Sequence, residues 1–212
     1  MRLLGVDVAI ERGGRRLFAG LGFAVEAGEA LVVTGPNGAG KSSLLRAIAG
    51  LLPLGAGRIA LEGGDPELGV GAQAHWAGHS DALKGALTAR ENLEFWTATL
   101  RPEAAAPTGP AALGAAAALD RLGLAHVLDF RVGYLSAGQK RRVALARLLV
   151  ARRPVWLLDE PTGALDHAAQ ARFAEIMRAH LAAGGLIVAA THAPLGLDAR
   201  ELRLGAAELA PA

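Results

Sequence analysis

The chain has 212 residues, enough for one domain with at most a sizeable insertion. Its 22 basic and 20 acidic residues leave a net charge of +2, too small an excess to argue for nucleic acid. It has no cysteine, which excludes disulfide frameworks and thiolate metal sites.

Met1 to Gly5 is followed closely by Asp7 and Glu11 and has no cleavage-site pattern, so it is not read as a signal peptide. Residues 3–10 alternate weakly and read as a strand, Gly13-Gly14 as a turn, and 21–25 as a second short strand. Ala30 to Thr34 is a short apolar run, as expected for a strand buried on both faces of a parallel sheet. A glycine loop follows, then a helix over 43–50 with a glycine stop. Residues 57–62 give another strand. From about 80 to 150 the pattern is helical, with helices near 88–100, 111–122 and 137–151 and a Pro/Ala-rich loop over 101–109. The longest uncharged stretch, 104–119, contains Pro107, Gly109, Pro110 and Gly114 and cannot form a spanning helix. The chain is therefore expected to be cytosolic, with any membrane role supplied by a partner. Strands return at 155–158 and 186–190, with a helix over 167–183 between them. A helical block is thus inserted into an α/β core.

The glycine loop runs Gly35-Pro36-Asn37-Gly38-Ala39-Gly40-Lys41-Ser42, with Ser43 next. It matches G-x-x-x-x-G-K-[ST] between a strand and a helix, the context a phosphate-binding loop needs. Backbone N–H groups and the positive end of the following helix suit a polyphosphate. Lys41 is expected on the β and γ phosphates and the Ser42 hydroxyl on Mg²⁺. Lys41 is one of only three lysines, with Lys84 and Lys140. An ordinary glycine turn is the alternative, and the strand–loop–helix order disfavours it.

Val155-Trp156-Leu157-Leu158 ends in Asp159-Glu160. A buried parallel strand that stops at adjacent acids places both carboxylates at its carboxyl end, beside the phosphates. Asp159 is expected to hold Mg²⁺ through its water shell and Glu160 to polarise the attacking water. A solvated acidic turn before Pro161 is the plainer alternative.

Leu135-Ser136-Ala137-Gly138-Gln139 precedes a basic amphipathic helix, and taken alone Ser136 is simply a helix cap. The order of motifs, with Ala164-Leu165-Asp166 and His192 downstream, decides otherwise: the chain resembles the ATP-binding cassette (ABC) ATPases. The resemblance spans nearly the whole chain. It implies an α/β P-loop NTPase fold of the ABC ATPase type, with a mixed β core, an antiparallel β edge and an inserted helical lobe. A single domain is expected, with a core lobe of about 1–78 and 153–212 and a helical lobe of about 79–152. The resemblance further implies a homodimer with two ATP sites. Each would combine Lys41, Ser42, Asp159, Glu160 and the switch histidine His192 of one copy with Ser136, Gly138 and Gln139 of the other. Asp166 would cross the interface. Ala137 stands where the family more often has a second glycine.

Two other positions depart from the family. Alignment through Leu87 to Leu93 puts His79 where a glutamine commonly links core and helical lobe, with Gln73 too early to serve. His79 is then expected near the γ-phosphate and Mg²⁺. Arg12 stands where an aromatic usually stacks on adenine; a guanidinium also stacks, and a solvated turn residue is its alternative. With the Leu-Ser-Ala-Gly-Gln sequence and the Arg-Gly-Gly-Arg-Arg-Leu-Phe start, these departures look like the haem exporter ATPases of bacterial cytochrome c maturation. That implies ATP hydrolysis coupled to integral membrane permease subunits, with the chain peripheral on the cytoplasmic side of the inner membrane. No Cys-x-x-Cys-His occurs and none of the six histidines is expected to ligate haem. The ATPase of another transporter, a soluble non-transport ABC protein and a nucleotide-gated module with little turnover are the alternatives. Glu160 argues against the last.

Overall fold

The computed structural model describes residues 1–100 and 111–205. Along them run β1 (Arg2–Arg12), β2 (Arg15–Glu26), β3 (Ala30–Thr34), α1 (Lys41–Ile48), β4 (Ala56–Glu62), β5 (Ala74–Ala77) and α2 (Ala89–Thr99). After these come α3 (Ala115–Arg121), α4 (Ala137–Val150), β6 (Val155–Asp159), α5 (His167–Ala182), β7 (Leu186–Ala190) and β8 (Arg200–Arg203). The Pro/Ala-rich loop expected at 101–109 lies outside the described residues.

The strands form two sheets. A three-stranded antiparallel sheet has the order β2-β1-β4, and a five-stranded parallel sheet the order β5-β6-β7-β3-β8. Both kinds of pairing are present, each confined to its own sheet. The side chains of the parallel sheet divide by the two-residue period of a strand. Val155 and Leu157 face one core with β1, β2 and α1, whereas Trp156 and Leu158 face another with α2, α3, α4 and α5. β6 and β7 are buried at every position, which is why each reads as an unbroken apolar run.

Register does the positioning. Asp159 pairs with Ala190, and Ala190 with Val33, so β6, β7 and β3 end side by side. The glycine loop after β3, the acids ending β6 and the turn after β7 therefore meet at one edge, the carboxyl end where parallel sheets bind ligands.

Two strands escape the sequence reading. β5 is a four-residue strand, Ala-His-Trp-Ala, too short to display a period. β8 is Arg-Glu-Leu-Arg on the sheet edge, where only Leu202 packs inward; charge is how edge strands avoid pairing with other chains. One helix is shorter than expected. α3 starts at Ala115 because Gly114 is extended at its N-cap, while the Leu113 N–H donates to the Leu149 carbonyl at 2.8 Å.

Candidate nucleotide site

The phosphate loop is shaped by glycines at two crowded, left-handed positions. Gly35 has φ 136°, and a Cβ there would run into the Leu204 carbonyl oxygen. Gly40, with φ 103°, is the N-cap of α1, and a Cβ there would lie 2.9 Å from the Phe18 ring. No side chain caps α1, so its first N–H groups stay directed into the loop. The Lys41 ammonium donates to the carbonyls of Gly35 (2.7 Å) and Pro36 (3.1 Å), which aims it across the loop mouth.

The acids meet the loop as the sheet register requires. Asp159 is 6% exposed, and its Oδ1 accepts from the Ser42 hydroxyl at 3.0 Å. Glu160 is one of three non-glycine residues with positive φ among those described, at 47°. Holding a non-glycine residue there costs about 1–3 kcal/mol. The Glu160 N–H donates to the Ala190 carbonyl at 2.8 Å, so the turn is pinned to the end of β7. Its carboxylate stays accessible, with Oε1 3.9 Å from Nε2 of His192.

A cavity of about 470 Å³ gathers these groups: Arg12, Asn37, Gly38, Gly40, Lys41, Ser42, Ser43, Asp159, Glu160 and His192 all line it. Within the loop the Ala39 N–H donates to the Pro36 carbonyl at 3.2 Å. Arg12 reaches the cavity because β1 runs to the hairpin that overhangs the loop, with Arg12 paired to Arg15. Leu17 also lines it; nothing in the sequence marks that residue, and only the β1–β2 pairing brings it there.

The donors fit a nucleoside triphosphate with a hard cation. One ammonium and a helix N-terminus suit phosphate, a guanidinium lining the same cavity suits a base, and a hydroxyl and a carboxylate oxygen already in contact suit Mg²⁺. Among the described residues no group of three or more acidic, histidine or cysteine ligands gathers as a metal cage. Mg²⁺ ordinarily takes one or two protein ligands and completes its shell with water and phosphate.

Beyond Gly35, Pro36 and Ala39 of the loop itself, five sequence candidates do not line this cavity. Ser136 is the N-cap of α4, its Oγ accepting from the Gln139 N–H at 3.2 Å, while Gln139 Oε1 accepts from the Ser136 N–H at 2.9 Å. The Gln139 side-chain oxygen is thus engaged in the capping box. A Cβ on Gly138 would lie 3.0 Å from the Ala164 carbonyl oxygen, so the α4 N-terminus abuts the turn leading to Asp166. Asp166 caps α5, accepting from the Ala169 N–H at 2.8 Å. His79 is exposed just beyond β5. Gln73 is buried in a loop-bracing role, bonded to Asp65 and Leu68, so it does not compete for the linking position. Arg141 went unmarked by the sequence reading; it lies buried directly beneath Glu160.

The ABC transporter family model matches residues 18–163. The chain belongs to that family, and it is an ATP-binding, ATP-hydrolysing subunit of the ABC type. Within the family its similarity is to proteins named cytochrome c biogenesis ATP-binding export protein CcmA. The one from Nitrobacter winogradskyi is 57% identical over 98% of this chain and 100% of its own length. That from Nitrobacter hamburgensis is 58% identical over 97% and 98%, respectively. Among solved structures, a putative ABC transporter ATP-binding protein from Pyrococcus furiosus has the same fold, with TM-score 0.78 at 20% identity, covering 96% of this chain and 98% of that one. A bacterial Atm1-family ABC exporter with ATP bound gives TM-score 0.76 at 26% identity, covering 96% of this chain and 37% of that one.

Proposed function

We propose that this chain powers a membrane ABC complex in cytochrome c maturation, where ATP hydrolysis drives haem export or release of a haem-charged chaperone. The cytochrome c part of the reading is supported by the names of relatives that match over the full length. The enzymatic part is carried by one observation: Ser42, Asp159, Glu160 and His192 converge on one cavity with the phosphate loop.

Chemistry at that cavity follows from the residues. The loop and Lys41 bind and orient the triphosphate, lowering the cost of bringing it into line with water. Glu160 is the general base, accepting a proton from the attacking water at its carboxylate. His192, beside Glu160, would contact the γ-phosphate. Ser42 and Asp159 would hold Mg²⁺, which when bound offsets phosphate charge. Two copies would pack head to tail, each presenting Ser136, Gly138 and Asp166 to the ATP held by the other.

Among the described residues no helix is long and apolar enough to cross a membrane. Attachment is assigned to integral permease partners on the cytoplasmic side of the inner membrane. The division into a core lobe (about 1–78 with 153–212) and a helical lobe (about 79–152) belongs to the same proposal.

Glu160→Gln tests the mechanism. Turnover should fall by about 10²–10⁴-fold, the usual worth of a positioned base, with ATP binding retained. Wild-type hydrolysis by this variant would remove Glu160 from the base role. The pathway is tested in cells: the same variant should abolish covalent haem attachment to c-type cytochromes while leaving b-type haem proteins loaded. Normal cytochrome c assembly would point to another transporter.

A further inference from the structure

Arg141 sits in the first turns of α4, just past the Ser136–Gln139 capping box, and is 5% exposed. A guanidinium has five N–H donors in a fixed plane, and here every one has an oxygen. Nε donates to the Pro161 carbonyl at 3.2 Å. One terminal nitrogen donates to the Gly78 carbonyl at 2.9 Å and to Asp81 Oδ1 at 3.0 Å. The other donates to the carbonyls of Asp159 at 3.2 Å and Glu160 at 2.9 Å. A single side chain thus gathers three consecutive carbonyls of the acidic turn and both ends of the Gly78–Asp81 segment.

The middle of those three carbonyls belongs to Glu160, the residue held at φ 47°. Its peptide is gripped from two sides, by Ala190 through the N–H and by Arg141 through the carbonyl. Nothing comparable holds its carboxylate, which stays accessible at the cavity. A left-handed non-glycine residue persists only where its surroundings over-determine it.

We propose that Arg141 is the positioning residue for Glu160. It holds the main chain of Glu160 in the left-handed conformation that turns the carboxylate into the cavity. It makes that conformation depend on α4 and on the Gly78–Asp81 segment being docked together. Moving α4 away withdraws three bonds from the acidic turn and two from the Gly78–Asp81 segment at once, so Glu160 is aligned only when the helix bearing Ser136 and Gly138 is seated. The inference rests on the reading of Glu160 as general base.

The test compares the full chain with Arg141→Ala and Arg141→Lys, measuring kcat, ATP affinity by titration with a fluorescent ATP analogue, and the thermal midpoint. Arg141 touches no group that contacts phosphate through its own side chain. A misplaced reacting group costs about 10²-fold, so kcat of Arg141→Ala should fall by about that factor while ATP affinity stays within about threefold. Lysine is a point charge and cannot span five acceptors. Arg141→Lys should therefore keep a kcat at least about tenfold below wild type, and it serves as the reporter should the alanine variant not fold. Adding Arg141→Ala to Glu160→Gln should lower turnover no further, since the two act through one carboxylate. A folded Arg141 variant with wild-type kcat overturns the proposal, as does one whose loss lies wholly in ATP affinity. Glu160→Gln alone separates the two ideas. If it turns over normally, the base assignment fails; if it is dead beside a fully active Arg141→Ala, only the positioning role fails.

Discussion

Arg12 illustrates how a residue with no motif of its own acquires one from its neighbours. It shares the cavity with Lys41 and Asn37. A guanidinium stacked on a purine contributes about 0.5–2 kcal/mol. Arg12→Ala should weaken ATP binding by that amount, and Arg12→Tyr should restore much of it. Equal affinities in all three proteins, measured by calorimetry, would leave Arg12 a solvated turn residue. His79 is placed differently. It is exposed beyond β5 and outside the cavity wall, so any part it takes requires movement of the Gly78–Asp81 segment that Arg141 braces. An imidazole and a glutamine amide can each accept a bond from Mg²⁺-bound water. With membrane partners present, His79→Gln should therefore keep most of the turnover and His79→Ala should lose it. Wild-type turnover in His79→Ala would make His79 a surface or interface residue.

At the scale of the element, α4 combines two roles at its first turn. The capping box of Ser136 and Gln139 satisfies the N–H groups of those two residues, and the same end is the surface proposed to face a second copy. The roles separate by substitution. Ser136→Ala should cost about 0.5–2 kcal/mol of stability and also lower turnover. Ser136→Asp caps equally well and should recover the thermal midpoint, yet it sets a carboxylate against the partner's phosphate and should not recover the rate. Recovery of both would reduce Ser136 to a cap. Further along, Arg147 bonds the Trp76 carbonyl and lies over the Trp96 ring at 4.6 Å, tying α4 to β5 and α2. Burial pushes its pKa down from the ordinary arginine value. The basic run in α4 reads as one side of an amphipathic helix, but Arg141 and Arg147 are buried. Periodicity cannot separate an arginine that snorkels from one whose head is fully bonded.

Across the whole molecule, two buried histidines couple stability to acid. Burial lowers the pKa of His75 to about 3, opposed by its bond to the Ala151 carbonyl and assisted by Arg153 and Arg147. Burial likewise lowers that of His180 to about 4; its ring stacks on Trp156 with centroids 3.9 Å apart. Unfolded histidines bind protons below about pH 6.5, while these two resist until near pH 3 and 4. The unfolded state then holds more protons, so stability is full above about pH 6.5 and falls as pH drops toward those values. Each group contributes a slope of about 1.4 kcal/mol per pH unit. Urea unfolding between about pH 6.5 and 4.5 should show the decline, and His180→Gln should remove about one proton's share of it. A pH-independent unfolding free energy over that range would show that these rings protonate without penalty.

The sequence by itself determined the chemistry and most of the elements: the loop and its lysine, the paired acids, β3 and β7 to the residue, and the order of motifs that marks the family. Those signals are local, because a glycine turn, a capping box and an apolar run between breakers are each written within a few neighbouring residues. The tertiary structure decided which residues meet. Parallel register aligns Val33, Asp159 and Ala190, and no local pattern encodes that alignment. The β1–β2 hairpin delivers Arg12 and Leu17 to the same cavity. Arg141 could not be singled out from the basic run around it because its partners are carbonyl oxygens, which every residue carries and no side chain announces. Its place under Glu160 exists only once α4, β6 and the Gly78–Asp81 segment have packed together.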